Sequence, residues 1–287
     1  MIVVGRGGLG NQLFQLSFAH YLAEQTHSQR VSFFLPKYEE TGPSISNLLK
    51  KSDCIPSSNF LERFWVLVVG NVKRKPLPSF ISAHSNILKE FSTKPRLTSL
   101  SRFTYIYEGF WQKWTLVESN GQKFLYEVAK YIDEEINYPL QISSQKECLV
   151  IHIRRGDYLE ERNRAIYGVL TLNSYLQVIK SLRLDHPNLD IITLTDSPDV
   201  ILMEGAGYEF GRVLGPEDCS AWQVLKLMKS AKIVIAGNST LSWWGAYLAV
   251  KSGGKAFIPN PWFTNYLEEA NLDKHHPQFS LFDATYA

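Results

Sequence analysis

Short β-branched runs alternate with helical patterns of apolar residues along this chain. The apolar residues Ile2–Val4 have the composition of a buried parallel strand. A glycine-rich loop follows, and after it apolar residues recur at helical spacing, at Leu13, Leu16, Phe18, Tyr21 and Leu22. A second strand is predicted over residues 31–35. This succession of strand, glycine loop, helix and strand predicts the beginning of an α/β domain.

A second series of the same kind begins after residue 147. Its strands are predicted over Cys148–Ile153, 189–194, 232–236 and 255–258, and its helices over 173–184, Ala221–Ser230 and 242–250. Between the two series, a helix is predicted over 123–137, and the polar residues 141–147 are interpreted as an interdomain linker. The sequence therefore predicts two α/β domains, residues 1–145 and 146–287, with ligands in the cleft at the carboxyl ends of the strands.

Residues 37–100 lack a comparable pattern and are predicted to form short helices and loops, since prolines and scattered Ser and Asn interrupt them. The basic triplet Lys73-Arg74-Lys75 is interpreted as a solvated turn, and peripheral contact with an anionic membrane surface is the alternative. A strand is predicted over 103–107, directly after this region.

The composition narrows the class of protein. Hydrophobic residues make up 45% of the chain and charged residues 20%, which is typical of a globular protein and excludes a largely disordered one. The net charge of +2 argues against a sequence-independent nucleic-acid binder. The three cysteines form no Cys-x-x-Cys pair, which predicts free thiols in a reducing compartment. No signal peptide or membrane-spanning apolar run is seen, so the sequence predicts a cytoplasmic protein without an integral membrane segment.

The strongest candidate for chemistry follows the strand Cys148–Ile153. Two adjacent arginines, Arg154 and Arg155, stand at its end, followed by Gly156 and Asp157. Guanidinium groups are costly to bury without an anion, and their paired N–H groups bind phosphate oxygens in a bidentate manner. The pattern therefore favours a phosphate or diphosphate site. The alternative is an Arg–Asp ion-pair network that braces the end of the strand.

A second polar cluster follows the strand predicted over 232–236. It contains Asn238, Ser239, Thr240 and Ser242 at the start of a helix, where free amides and hydroxyls favour an anion. The alternative is simple N-capping of that helix by Ser239 or Thr240, and the two interpretations are compatible.

The glycine loop from Gly7 to Gln12 is a third candidate. It fits neither G-x-G-x-x-G nor the P-loop pattern, so a tight strand-to-helix turn is the alternative to a ligand contact.

The adjacent pair His275-His276 is not interpreted as a metal site, because neighbouring side chains on a regular element point in different directions.

Together these segments resemble the α-1,2-fucosyltransferases of glycosyltransferase family eleven. The similar segments, in the order of that family, are GGLGNQLFQLSFAHYLA from Gly7, EGFWQKW from Glu108, HIRRGDY from His152 and NSTLSWWGAYL from Asn238. The resemblance implies two facing Rossmann-like domains of the GT-B type, with the acceptor on the first domain and GDP-fucose on the second. It further implies a β-galactoside glycan acceptor, no cofactor and no metal ion. The absence of an Asp-x-Asp motif agrees with the last point.

The resemblance also implies a set of donor-binding residues: Gly8, Gly10, Asn11, His152, Arg154, Arg155, Asn238, Ser239, Thr240 and Ser242. In this set, Arg154 and Arg155 would grip the diphosphate, and His152 would contact the guanosine. One departure from the family pattern is that Gln223, Val224 and Lys226 stand where an acidic residue is expected, which leaves open how guanine is recognised.

The implied reaction inverts the configuration of GDP-β-L-fucose and gives a Fuc-α-1,2-Gal linkage. Arg154 would stabilise the departing GDP, and Asp157 is the first choice as general base, before Glu160 and Glu161.

Asp196 is interpreted as structural rather than catalytic. Trp65, Trp111 and Trp114 are interpreted as core aromatics, with sugar stacking as the alternative. The alternatives for the whole protein are a fucosyltransferase with another linkage or acceptor, and a non-catalytic nucleotide- or glycan-binding module.

Overall fold

The computed structural model describes residues 1–26, 30–36, 44–52, 54–63, 66, 85–89, 104–119, 121–139, 148–203, 209–264 and 273–287. The chain divides into two compact units, Met1–Val128 and Ala129–Ala287, each of which is described by itself. The predicted linker over 141–147, the basic triplet Lys73-Arg74-Lys75 and Trp65 lie outside the described residues.

The first unit contains a four-stranded parallel sheet. Its strands are β1 (Ile2–Val4), β2 (Ser32–Phe34), β3 (Ser85–Lys89) and β4 (Thr104–Glu108), in the order β2-β1-β4-β3. Its helices are α1 (Leu9–Gln25), α2 (Ser46–Lys51), α3 (Trp114–Ser119) and the first part of α4 (Gly121–Glu135). β1 lies between two other strands and is fully buried, which explains why its three residues are all apolar.

The second unit contains a six-stranded parallel sheet. Its strands are β5 (Cys148–Ile153), β6 (Asp190–Thr195), β7 (Arg212–Leu214), β8 (Ile233–Ala236), β9 (Lys255–Asn260) and β10 (Ser280–Asp283). Its helices are α5 (Glu161–Tyr167), α6 (Leu172–Asp185), α7 (Pro198–Met203), α8 (Ala221–Ser230) and α9 (Thr240–Lys251). The order β10-β9-β8-β5-β6-β7 is that of the doubly wound Rossmann fold, whose ligands bind where the order reverses, here between β5 and β8.

Every strand and helix that the sequence predicts in the second unit forms, with ends within two residues of the predicted ones. The strands β7 and β10 were not predicted. Both are short and lie at the two edges of the sheet, where only part of the strand is buried, so neither has the continuous apolar run that marks the central strands. Among the described helices, none combines the length and the apolar character needed to span a bilayer.

Candidate functional site

The two strongest polar clusters of the sequence lie next to each other in the second unit. β5 and β8 are parallel neighbours, with His152 paired to Ala236 at their carboxyl ends. The chain leaves β5 through Arg154 and leaves β8 through Gly237, so the two following loops meet at the point where the strand order reverses. The sheet topology therefore joins two segments that lie more than eighty residues apart in the sequence.

Asp196, which follows β6, organises the loop after β5. Its Oδ1 accepts hydrogen bonds from the backbone N–H groups of Arg155 (2.7 Å) and Gly156 (3.1 Å), and its Oδ2 lies 2.7 Å from Nη1 of Arg154. Gly156 has φ +23°, and a Cβ added there would lie 2.4 Å from Oδ2 of Asp196, so the loop has no room for a side chain. These contacts agree with the structural role that the sequence suggested for Asp196.

Arg154 is held between two carboxylates. Besides Asp196, its Nη2 donates to Oδ1 of Asp157 at 2.6 Å, and its guanidinium lies 5.8 Å from the ring centre of Tyr158. Burial alone would lower the pKa of Arg154, but Asp196 and Asp157 outweigh it and raise that pKa. The Arg–Asp network that was the alternative to phosphate binding is thus present. Because a guanidinium has five N–H donors and its side chain is 36% exposed, Arg154 retains donors for an anion.

Arg155 lies in different surroundings from its neighbour. Its side chain is buried, with the residue only 3% exposed, and its Nη1 donates to the carbonyl oxygen of Leu170. This buried hydrogen bond holds the segment before α6 against the end of β5. The structure therefore places Arg154 at the accessible position at the end of β5, while contact of Arg155 with a diphosphate stays a prediction.

Asp157 lies in a short 3₁₀ turn, Gly156–Leu159, that follows the arginines. Its side chain is 49% exposed, so solvent and a ligand have access to it. One carboxylate oxygen is engaged by Arg154 at 2.6 Å. Asp157 would act as a general base only after this ion pair opens, and the assignment stays a prediction.

Ser239 caps helix α9, as the capping alternative proposed. Its Oγ accepts from the backbone N–H of Ser242 at 3.2 Å. Ser242 is fully buried and its hydroxyl contacts Oγ of Ser239 at 2.8 Å, whereas Thr240, the first residue of α9, is half-buried. Thr240 is therefore the most accessible of these three hydroxyls, and contact of Ser239, Thr240 and Ser242 with a donor stays a prediction.

Asn238 ties the two loops together. Its side-chain N–H group donates to the carbonyl oxygen of Tyr167 at 2.8 Å, and its own carbonyl oxygen accepts from the hydroxyl of Tyr158 at 3.1 Å. The rings of Tyr158 and Tyr167 stack with centroids 5.0 Å apart. Asn238 is buried and thus fixes the loop after β8 against the loop after β5.

His152 links β5 to the start of α9. Its Nδ1 lies 2.5 Å from Oγ of Ser242, and the residue is buried. Burial, and secondarily the charge of Arg154, lower the pKa of His152 to about 3, so the imidazole is neutral at pH 7. Contact of His152 with guanosine stays a prediction; the contact that the structure shows is with the N-terminal turn of α9.

We expect His152 to make the stability of the protein depend on pH. Its pKa is about 3 in the folded chain and about 6.5 unfolded. The unfolded chain therefore binds a proton first as pH falls. The contribution of His152 to the free energy of unfolding is fully present above pH ~6.5. It is lost as the pH falls towards ~3, by up to about 1.4 kcal/mol per pH unit. Urea unfolding of wild type and His152→Asn at several pH values between these limits measures this: the variant should have the shallower pH slope.

The control for this measurement is Asn188→Ala, which removes an exposed, uncharged side chain after α6. That variant should keep the wild-type slope. Identical pH slopes for His152→Asn and the wild type would contradict the buried, neutral state of His152.

The glycine loop of the first unit forms a tight turn into α1. Gly7 has φ +74°, and Nε2 of Gln12 donates to its carbonyl oxygen at 2.7 Å. Gly8 is the N-cap residue, Gly10 is buried in the first turn, and Oδ1 of Asn11 accepts from Nε2 of Gln112 at 2.9 Å. A Cβ added at Gly8 would meet no atom within 4 Å. Contact of Gly8, Gly10 and Asn11 with a donor stays a prediction.

The two described tryptophans of the EGFWQKW segment differ in burial. Trp111 is buried and stacks on Phe18 with ring centroids 3.9 Å apart, which confirms the core interpretation for this residue. Its φ of +53° is unusual for a residue other than glycine, and it turns the chain between β4 and α3. Trp114 begins α3 and is half-buried.

Two residues at the departure from the family pattern, Gln223 and Lys226, make structural contacts, and how guanine is recognised stays open. Gln223 completes a capping box with Ser220 at the start of α8. The ammonium group of Lys226 donates to the carbonyl oxygens of Ile132, Asp133 and Ile136 at the end of α4. A cation stabilises the negative end of a helix, so this lysine fastens the end of α4 to α8 within the second unit. The sequence did not predict this contact between α4 and α8.

Comparison with known proteins identifies the family. The family model described as glycosyl transferase family 11 matches residues 74–275, more than two thirds of the chain. The chain belongs to glycosyl transferase family 11. It is 27% identical over 295 residues to an alpha-1,2-colitosyltransferase of Escherichia coli, covering 94% of each chain. It is 24% identical over 280 residues to the O-antigen biosynthesis glycosyltransferase WbnK of Escherichia coli, covering 90% of this chain and 93% of that one. The family predicted from the sequence is thereby confirmed.

Among solved structures, this glycosyltransferase is similar in fold to the Escherichia coli heptosyltransferase WaaC with ADP. The TM-score is 0.50 at 10% identity, and the match covers 99% of this chain and 93% of that one. At this identity the similarity concerns the fold alone. It agrees with the two parallel-sheet units and confirms the predicted α/β fold class of the GT-B type.

Proposed function

We propose that this family 11 enzyme transfers L-fucose from GDP-β-L-fucose to the 2-hydroxyl of a terminal β-galactoside. The product would be a Fuc-α-1,2-Gal linkage, formed with inversion and without a metal ion at the donor. The observation that carries the proposal is the position of Arg154, an accessible and permanently charged guanidinium beside the switch point of a Rossmann sheet.

The donor diphosphate would be held by two groups of the second unit. Arg154 supplies the positive charge, and Asp196 fixes the backbone from which it projects. The N-terminal turn of α9 supplies amides and the half-buried Thr240. Because these charges are in place before the reaction, they stabilise the negative charge that builds on GDP as the glycosidic bond breaks. That is the work a divalent cation performs in metal-dependent glycosyltransferases.

The ion pair between Arg154 and Asp157 suggests how donor binding prepares the base. A diphosphate that binds Arg154 would compete with Asp157, whose half-exposed side chain would then turn towards solvent. The released carboxylate would accept the proton of the acceptor hydroxyl late in an oxocarbenium-like transition state. In this proposal the donor itself makes Asp157 available as the base.

The similarity to an alpha-1,2-colitosyltransferase supports the α-1,2 linkage and favours a second candidate donor. This candidate function is the transfer of colitose instead of fucose to the same hydroxyl. The acceptor is proposed to bind to the first unit, where Trp114 is half-buried at the start of α3.

A donor competition with linkage analysis tests the proposal. The enzyme is incubated with GDP-fucose or the corresponding colitosyl donor and a panel of β-galactosides, and the products are analysed by NMR. We expect transfer from GDP-fucose and an α linkage at O2 of galactose. Exclusive use of the colitosyl donor would favour the second candidate, and a linkage at another hydroxyl would refute the proposed regiochemistry.

Transfer is also expected to persist in EDTA at about the untreated rate, because Arg154 and α9 supply the positive potential. The initial rate is compared in EDTA and after addition of excess Mg²⁺ or Mn²⁺. Loss of transfer in EDTA that Mg²⁺ restores would refute the metal-independent donor site, because Mg²⁺ prefers oxygen ligands such as those of a diphosphate to a thiolate-containing cluster.

A further inference from the structure

A second cluster of reactive side chains lies in the first unit, apart from the residues assigned to the donor. It consists of His20 on α1, Cys54 after α2 and Glu127 on α4, and we name these three residues the His–Cys–Glu cluster. One ligand atom from each lies within 4.8 Å of the other two. Nε2 of His20 is 3.6 Å from Oε2 of Glu127, and the Cys54 thiol donates to Oε1 of Glu127 at 2.7 Å.

The buried nitrogen of His20 points to a ligand. Among the residues that the structure describes, none is a hydrogen-bond partner of Nε2 of His20, although His20 is only 4% exposed. Its distance of 3.6 Å from Glu127 is too long for a hydrogen bond. A buried polar atom without a partner is costly. Nε2 is directed at a carboxylate and a thiol, and a cation between these three groups would satisfy all of them.

Ser52 holds the Glu127 carboxylate and the backbone that carries Cys54. Oγ of Ser52 donates to Oε2 of Glu127 at 3.1 Å and accepts from the backbone N–H groups of Cys54 (3.3 Å) and Ile55 (3.2 Å). Hydrogen bonds of this kind orient the ligands in metal sites. Cys54 is half-buried and the Glu127 side chain is 18% exposed, so an ion and a water molecule can reach the cluster from solvent.

We propose that the His–Cys–Glu cluster is a binding site for a thiophilic divalent transition-metal ion, with Zn²⁺ as the preferred ion. Imidazole nitrogen, thiolate sulfur and carboxylate oxygen are all Zn²⁺ ligands, and three protein ligands plus a water molecule complete its tetrahedron. On binding, the S–H bond of Cys54 breaks and its proton passes to solvent. Thiolate and carboxylate then balance the two charges of the ion, and no redox step is involved.

The ion would join three segments that are distant in sequence. It would tie α1, the segment after α2 and α4 together, and so stabilise the first unit. The side chain of Lys123, one turn before Glu127 on α4, hydrogen-bonds to Cys54 and also acts electrostatically on His20 and Cys54. It competes with a cation and has to turn towards solvent when the ion binds.

Titration of the chelator-treated full-length protein with Co²⁺ tests the proposal. Bound Co²⁺ reports a tetrahedral site by intense visible d–d bands and a thiolate ligand by a near-ultraviolet charge-transfer band, without reference to sugar transfer. We expect one Co²⁺ per chain, both spectral features, and their loss when Zn²⁺ displaces the Co²⁺. An unchanged spectrum at saturating Co²⁺ would overturn the proposal.

Three variants test the thiolate ligand and the competing charge. Cys54→Ser should abolish the charge-transfer band and weaken Zn²⁺ binding by about 100-fold or more, since even loss of an outer-shell partner costs 10–100-fold. The matched control Cys219→Ser removes a buried cysteine of the second unit and should leave both features intact. Lys123→Gln should tighten binding by removing the competing charge. Circular dichroism checks the fold of each variant. A charge-transfer band that survives in Cys54→Ser would place the ion elsewhere and refute the site.

Discussion

Replacing Arg154 with alanine is expected to lower kcat/KM for sugar transfer by about 10²–10³-fold or more, the loss typical of a missing charge-stabilising donor. Arg154 is the accessible guanidinium at the end of β5, and Asp196 holds it in place before the donor arrives. Arg154→Lys should recover only part of the activity, because an ammonium cannot make the paired contacts of a guanidinium. Steady-state kinetics with GDP-fucose and a β-galactoside measures both effects.

Arg183→Ala is the matched control for this prediction. It removes the same charge from an exposed position near the end of α6 and should leave kcat/KM near the wild-type value. Thermal unfolding of each variant separates a catalytic loss from a folding defect. Wild-type turnover in a folded Arg154→Ala protein would refute the role of Arg154 and with it the proposed donor site.

The second large effect is expected at Asp196, as a positioning residue that acts through Arg154. Asp196→Ala removes the acceptor of two backbone N–H groups and the anchor of the guanidinium. We expect a fall in kcat/KM of about 10²-fold or more. We also expect a loss of about 1.5–3 kcal/mol in the free energy of unfolding, the contribution typical of hydrogen bonds to a charged acceptor. Kinetics and urea unfolding measure the two quantities independently.

Asp196→Asn distinguishes positioning from a purely structural role. The amide oxygen of Asn can still accept from the N–H groups of Arg155 and Gly156, so most of the stability should return. The ion pair with Arg154 is lost, so kcat should stay low and KM for the donor should rise, because the guanidinium both binds the diphosphate and stabilises its charge in the transition state. Full recovery of kcat in Asp196→Asn would show that the ion pair does not matter. Asp199→Ala, an exposed carboxylate nearby, is the control and should behave as the wild type.

These predictions depend on contacts that the order of residues along the chain does not reveal. Asp196 lies 41 positions from Arg155, and Ser242 lies 90 positions from His152. No local periodicity connects such pairs. The register of a parallel sheet brings them together, since β6 and β8 both flank β5 and the carboxyl ends of all three strands meet at one edge.

The sequence alone determined the parts of the protein that depend on short-range patterns. Neighbouring residues alone predict the buried strands β5 and β8 and the apolar face of α8. The polar segments at the ends of the two strands are then located by their position in the sequence. The edge strands β7 and β10 could not be predicted in this way, because they become strands by pairing with β6 and β9.

Only the tertiary structure decided which polar groups are accessible and which are internal. Arg154 and Arg155 are chemically identical neighbours, yet one lies between two partly exposed carboxylates and the other is buried against the Leu170 carbonyl. The same holds for the buried Ser242 and the His–Cys–Glu cluster. The physical reason is that the packing of distant segments sets the accessibility of a side chain and its distances to other residues. Composition and periodicity indicate only which secondary structure each segment can form.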